Sequence, residues 1–254
     1  MTSYKTLVKD VIQKADVLME VLDARFPDET RNRDLEREII SLNKPFIIVI
    51  NKCDLVSREK LVKAKACLSK TAPTVFVSGK NKSGVTILRH QILKSACIKG
   101  HDIIVGTFGY PNVGKSSIIN SVAGRHKAST SPMSGHTKGV QKVNAGSRIM
   151  FIDTPGVIPF DEMDEYIQGL LGAKDANKLQ DHVGVSLKII EKILAENKTA
   201  LESFYHITIE NENSYNVLEL IGKQCNFLQK KGEIDETRIA IKVITDWQKG
   251  LLFV

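Results

Sequence analysis

The sequence has no uninterrupted apolar stretch near the ~18 residues that a membrane-spanning helix needs, which argues against an integral membrane protein. Cysteine is sparse: Cys53, Cys67, Cys97 and Cys225 stand apart with no C-x-x-C pair. That spacing argues against both a structural zinc site and a disulfide framework, and leaves four small buried or neutral thiols. No low-complexity tract interrupts a composition that is 42% hydrophobic and 26% charged, ordinary for a globular chain. The start, Met1-Thr2-Ser3-Tyr4-Lys5, lacks a charged segment followed by an apolar one and is not arginine-rich. It therefore reads as part of the fold, with the cytoplasm as the expected compartment.

Acidic residues are scarce in one part of the chain only. Residues 1–168 carry 25 Lys and Arg against 17 Asp and Glu, whereas residues 169–254 carry 11 against 12. A basic first part suits polyanionic partners, nucleotide phosphates or RNA, although charge on solvated faces accounts for an excess of this size equally well.

Hydrophobic patterning divides at the same point. Leu7, Val8, Val11 and Ile12 recur at helical spacing, and Val17 to Leu22 reads as a strand ending at Asp23. A helical stretch leads to Phe46-Ile47-Ile48-Val49-Ile50, a β-branched run typical of a buried parallel strand. Thr74 to Val77, Ile103 to Gly106 and Ile149 to Ile152 read as further strands, with a helix from Val85 to Leu93 and an edge strand near Val140 to Val143. Alternating strands and helices imply an α/β domain over residues 1–168 with a mostly parallel sheet. Beyond it, Leu187–Leu194 and Val217–Ile221 are helical, and Asp235 is a candidate N-cap for a helix presenting Ile239, Val243 and Trp247, with Gly250 past its end. Residues 169–254 are thus expected to form a small all-helical domain.

Gly109-Tyr110-Pro111-Asn112-Val113-Gly114-Lys115-Ser116 matches G-x-x-x-x-G-K-[ST] between a strand and a helix that opens at Ser117. Glycines there let backbone N–H groups, up to that of Ser117, turn inward around phosphate oxygens. Lys115 can reach the β- and γ-phosphates, and Ser116 can ligate Mg²⁺. Asp153-Thr154-Pro155-Gly156 follows a strand; D-x-x-G is uninformative alone, but here Asp153 can hold the Mg²⁺ shell through water and the Gly156 N–H can sense the γ-phosphate. Thr137, in the polar segment 129–139, is a candidate to bind Mg²⁺ only when that phosphate is present.

Asn51-Lys52-Cys53-Asp54 closes the second strand. A carboxylate such as Asp54 can accept from both N1–H and the 2-amino group of guanine, donors that adenine lacks on that edge. A site built for those bonds rejects ATP, because a buried acceptor would be left unpaired. Lys52 would flank the base and Asn51 brace the loop. Ser78-Gly79-Lys80 ends the third strand, where a small residue lets a backbone N–H approach guanine O6; a plain turn explains it equally well.

The order of these motifs is unusual. Most GTPases present the phosphate loop first and N-K-x-D late, whereas here N-K-C-D and S-G-K precede the phosphate loop. In that order, and in Asp23-Ala24-Arg25-Phe26-Pro27 with Arg31-Asn32, the chain resembles the circularly permuted GTPases of the YlqF/RbgA family. Its segment from Gly232 through Gly250 is similar to that family's C-terminal helical part. The resemblance implies a P-loop GTPase domain with GTP/GDP and Mg²⁺ as ligands, and a monomer that binds a precursor of the large ribosomal subunit and its rRNA. Small-subunit assembly, or nucleotide-gated binding of a protein partner, is the competing reading. Val157 stands where Ras-type enzymes carry a water-positioning glutamine, so slow intrinsic turnover is expected. The family's P-G-H-M segment is missing; His136 is a candidate catalytic substitute or simply an exposed loop histidine. Asn112 is a candidate K⁺ ligand or a favourable turn residue.

Overall fold

The computed structural model describes residues 4–96, 102–124, 141–145, 148–153, 164–229 and 232–252, with backbone alone at 4–7, 141, 142 and 153. They fall into two compact units, 1–161 and 162–254.

The first unit is a six-stranded sheet. In chain order its elements are α1 (Tyr4–Lys14), β1 (Val17–Asp23), α2 (Arg33–Ser41), β2 (Phe46–Asn51), α3 (Arg58–Leu68), β3 (Thr74–Phe76), α4 (Val85–Ala96), β4 (Ile103–Phe108), α5 (Lys115–Ala123), β5 (Gln141–Asn144) and β6 (Ile149–Asp153). The strands lie in the order β3-β2-β1-β4-β6-β5, all parallel except β5, which runs antiparallel to β6 at the edge. Every residue of β1 and β2 is buried. Since successive side chains point to opposite faces, both faces of the central sheet are covered, as continuous aliphatic runs require. The order reverses between β1 and β4, so the crevice at their carboxyl ends is where an open α/β sheet accepts a ligand.

The second unit is helical: α6 (Glu165–Leu171), α7 (His182–Tyr205), α8 (Ser214–Gln224) and α9 (Glu236–Gln248). Asp164, Asp181, Asn213 and Asp235 each cap a helix by accepting a hydrogen bond from an N–H of its first turn. At the end of α9, Gly250 has φ 68°, its N–H donates to Trp247 O, and the Leu251 N–H donates to Asp246 O. That pair of bonds is a Schellman stop, which the glycine permits. Trp247 is fully buried and its indole N–H donates to Leu170 O at 2.9 Å. Tyr205 donates to the buried Asp246, which also holds Lys242; burial and the Asp246 carboxylate push the Tyr205 phenol far above its ordinary range.

Two helices escape the periodicity argument. Helix α3 buries only Leu68, leaving little amphipathic signal, and α6, only seven residues long, falls within the second unit rather than the first. Cys53 and Cys225 are half-buried, with burial pushing both thiols upward, while Cys67 is exposed.

Candidate nucleotide site

Three loops meet at the carboxyl ends of β4, β2 and β3. The Gly109–Ser116 loop leaves β4 and runs into α5 with Gly109 at φ 144°, Asn112 at φ 58° and Gly114 at φ 96°. Two of these demand glycine by contact as well as conformation. A Cβ at Gly109 would lie 2.5 Å from Val21 O of the neighbouring strand, and one at Gly114 would run into Asn51 Nδ2. Asparagine is among the residues that tolerate the left-handed turn at position 112. Lys115 is buried, its ammonium donating to Gly109 O at 3.0 Å and Tyr110 O at 2.8 Å, so its charge lies across the mouth of the loop. Burial, and next the nearby Glu20, raise the pKa of the half-buried Tyr110 phenol. Val113 is fully buried, anchoring the loop from beneath.

Asn51 joins all three loops. Its amide nitrogen donates to Val113 O at 2.7 Å, and its amide oxygen accepts from the Gly79 N–H at 3.0 Å. Gly79 O in turn accepts from the Ser121 hydroxyl of α5, and Gly79 packs so closely on Ser117 that an added Cβ would sit 3.1 Å from its Cβ. Ser78 is buried and its hydroxyl accepts from the Asn81 N–H, whereas Lys80 is exposed. Asn51 thus bridges the phosphate loop and Gly79 through two hydrogen bonds, and a side chain at 79 would press on α5.

Asp54 lies in a single 3-10 turn, Cys53–Leu55, directly after Lys52. Its Oδ1 is buried and accepts no hydrogen bond from any of the described residues. A buried carboxylate oxygen without a donor is costly, and water, an ion or a ligand ordinarily supplies one. Lys52 has φ 60° and its ammonium reaches Asp23 Oδ2 at 2.7 Å. Asp23, fully buried at the end of β1, also accepts from Arg25 Nε at 3.0 Å and Nη2 at 2.9 Å. Burial alone would raise the Asp23 pKa, but the Arg25 and Lys52 charges hold it well below the usual carboxylate range. The residue types at 23 and 25 were legible; the Asp23–Lys52 contact was not, because nothing local joins positions on different strands.

Asp153 ends β6 opposite Thr107 of β4, beside the strand that feeds the phosphate loop. Its backbone is placed at the crevice. His136, Thr137, Gly156 and Val157 lie outside the described residues.

The fold and the motif order define a class, the P-loop GTPases in circularly permuted arrangement. Residues 104–219 match the family described as 50S ribosome-binding GTPase. An uncharacterised GTP-binding protein of Methanocaldococcus jannaschii is 39% identical over 249 residues, covering 98% of this chain and 65% of that protein. Nucleolar GTP-binding protein 2 of Pneumocystis carinii is 33% identical over 254 residues, covering 94% and 50%. The chain therefore spans about half to two thirds of the length of these relatives. GDP-bound YlqF of T. maritima superposes with a TM-score of 0.65 over 96% of this chain and 94% of that one, at 20% identity, and shares the fold. The chain is thus similar over nearly its whole length to GTP-binding proteins, and it has the fold of YlqF. No described helix is long and apolar enough to cross a membrane.

Proposed function

We propose that this chain binds GTP and hydrolyses it to GDP and phosphate, as a switch in assembly of the large ribosomal subunit. The observation that carries the nucleotide reading is the donorless, buried Asp54 Oδ1 on a turn whose strand is tied by Asn51 to both the phosphate loop and Gly79. Guanine offers two donors on one edge and fills that need; adenine does not.

At the other end of the nucleotide, Lys115 exchanges the carbonyls of Gly109 and Tyr110 for phosphate oxygens, and the loop N–H groups through Ser117 turn toward them. Ser116, with Thr137 and, through water, Asp153, would hold Mg²⁺, which when bound neutralises charge on the phosphates under attack. Gly156 would sense the γ-phosphate. Asn112 is proposed as a K⁺ ligand, and His136 as the residue to test for water activation, since Val157 cannot orient water by hydrogen bonding. The ribosomal part rests on the family description and on the names of the relatives. By that reading the protein works as a monomer wherever subunits assemble, nucleolus or cytoplasm, and the helical unit contributes to its grip on rRNA.

Turnover measured with purified large subunits, small subunits or neither, in potassium and in sodium, tests this. Strong stimulation by large subunits is expected. Stimulation by small subunits alone would move the assignment to the other particle, and no stimulation by either would end the ribosomal reading.

A further inference from the structure

The corner Asp23-Ala24-Arg25 lies outside the three nucleotide loops, yet it is bonded to the Asn51–Asp54 loop and to helix α3 after it. Asp23 is paired in register with Asn51 across β1 and β2. The Ala24 N–H donates to Asn51 O at 2.8 Å, the Lys52 ammonium reaches Asp23 Oδ2 at 2.7 Å, and the Lys60 ammonium donates to Arg25 O at 2.8 Å. Asp23 is itself held rigid. Its N–H donates to the Thr30 hydroxyl, and its Oδ1 accepts from the backbone N–H and Nε of Arg25. A fully buried carboxylate with four donors converging on its two oxygens and its own N–H occupied has no freedom to rotate.

Lys52 is the free end of this arrangement. Its backbone adopts a left-handed conformation that a lysine takes up only against a penalty, and its long side chain would otherwise sample many rotamers. Burial disfavours the charged ammonium, and the Asp23 carboxylate opposes that effect. The turn that follows presents Asp54. Resting on the guanine reading of Asp54, we propose that Asp23 is a positioning residue for base recognition: its carboxylate pins Lys52 and thereby sets the turn that aims Asp54. The position explains why the corner lies at the reversal point of the sheet, between the strand of the base loop and the strand of the phosphate loop.

The proposal separates the two ends of the nucleotide. In Asp23→Asn, Kd for GTP and for GDP should both rise about tenfold, while inorganic tripolyphosphate, which has no base, should compete as well as before. Lys52→Met should show the same loss, and the double variant Asp23→Asn/Lys52→Met should be no weaker than Lys52→Met alone, because both changes remove one contact. If Asp23→Asn does not fold, the comparison of Lys52→Met with the double variant, which also removes the stranded ammonium, decides. Unchanged GTP affinity in Asp23→Asn, equal weakening of tripolyphosphate, or additive losses in the double variant would each overturn it. Wild-type protein that holds ATP as tightly as GTP would instead remove the reading of Asp54, before any variant is made.

Discussion

The two units spend their buried polar groups differently. In the sheet unit, buried or nearly buried Asp23, Arg25, Asn51, Ser78 and Lys115 gather at one end, where β1, β2, β3 and β4 stop. In the helical unit, the buried polar groups are scattered and serve packing: Asp246 binds Tyr205 and Lys242, and the Trp247 indole binds Leu170 O. The sheet unit keeps an acceptor with no donor among the described residues, Asp54 Oδ1, on the turn beside this cluster; the helical unit leaves His182 Nε2 without one at the start of α7, apart from the bonds of Asp246 and Trp247. The difference marks where binding energy is to be realised and where folding energy already has been.

The sharpest way to break the contrast is at Asp54. Asp54→Asn should weaken GTP at least about a thousandfold and admit xanthosine triphosphate, whose 2-oxo group accepts from the new amide. Competition binding checks it, with thermal stability expected to hold. On the helical side, Trp247→Ala should cost about 3–5 kcal/mol by leaving a large cavity and an unpaired carbonyl at Leu170. Hydrogen exchange should place that loss in α6, α7 and α9, with GTP affinity unchanged. Gly114→Ala should cost about 2 kcal/mol of backbone strain and displace Asn51 from Val113, weakening GTP about thirtyfold in a titration. Tyr205→Phe should cost only about 1 kcal/mol, since Lys242 still pairs with Asp246, and urea unfolding would read it.

The smallest effect is set by pH. Glu165 is held down to about 2, first by the Lys174 ammonium and then by the Gln180 and Asp181 N–H groups. A depressed carboxylate stabilises above its unfolded value of 4.5 and loses that contribution as pH falls through the folded value, so the window is pH 4.5 to about 2. The side chain is only partly buried, 27% accessible, and solvent screens it, so a shift of no more than a few degrees in the helical unit's melting is expected. Glu165→Gln should abolish that dependence.

Much of this was legible in the sequence. Strands β1, β2, β4 and β6 declared themselves as aliphatic runs, and the Asp235 cap and Gly250 stop of α9 follow from side-chain chemistry alone. The motifs gave the loops but not their mutual bonds. That Asn51 holds Val113 and Gly79 together depends on three strands stopping level with one another, which no local pattern encodes. Helix α3 was hidden for the opposite reason: its face is solvated, so periodicity had nothing to report. The bend at Asn197 inside α7, with φ −157°, likewise has no local breaker such as proline.

The permuted order also has a consequence in time. Chains fold progressively from the end made first, and here the strands β1, β2 and β3 are synthesised before any residue of the Gly109–Ser116 loop. Their pairings span short stretches of chain, whereas β4 must insert beside β1 across a separation of some ninety residues, as Val17 pairs with Val105. On the proposed reading, the nascent chain therefore builds the strands of the base loop first and acquires the phosphate loop only when β4 docks. Until the Asn51–Val113 bond can form, nucleotide has no complete cavity to occupy, so GTP can act as the closing piece of the young domain's assembly.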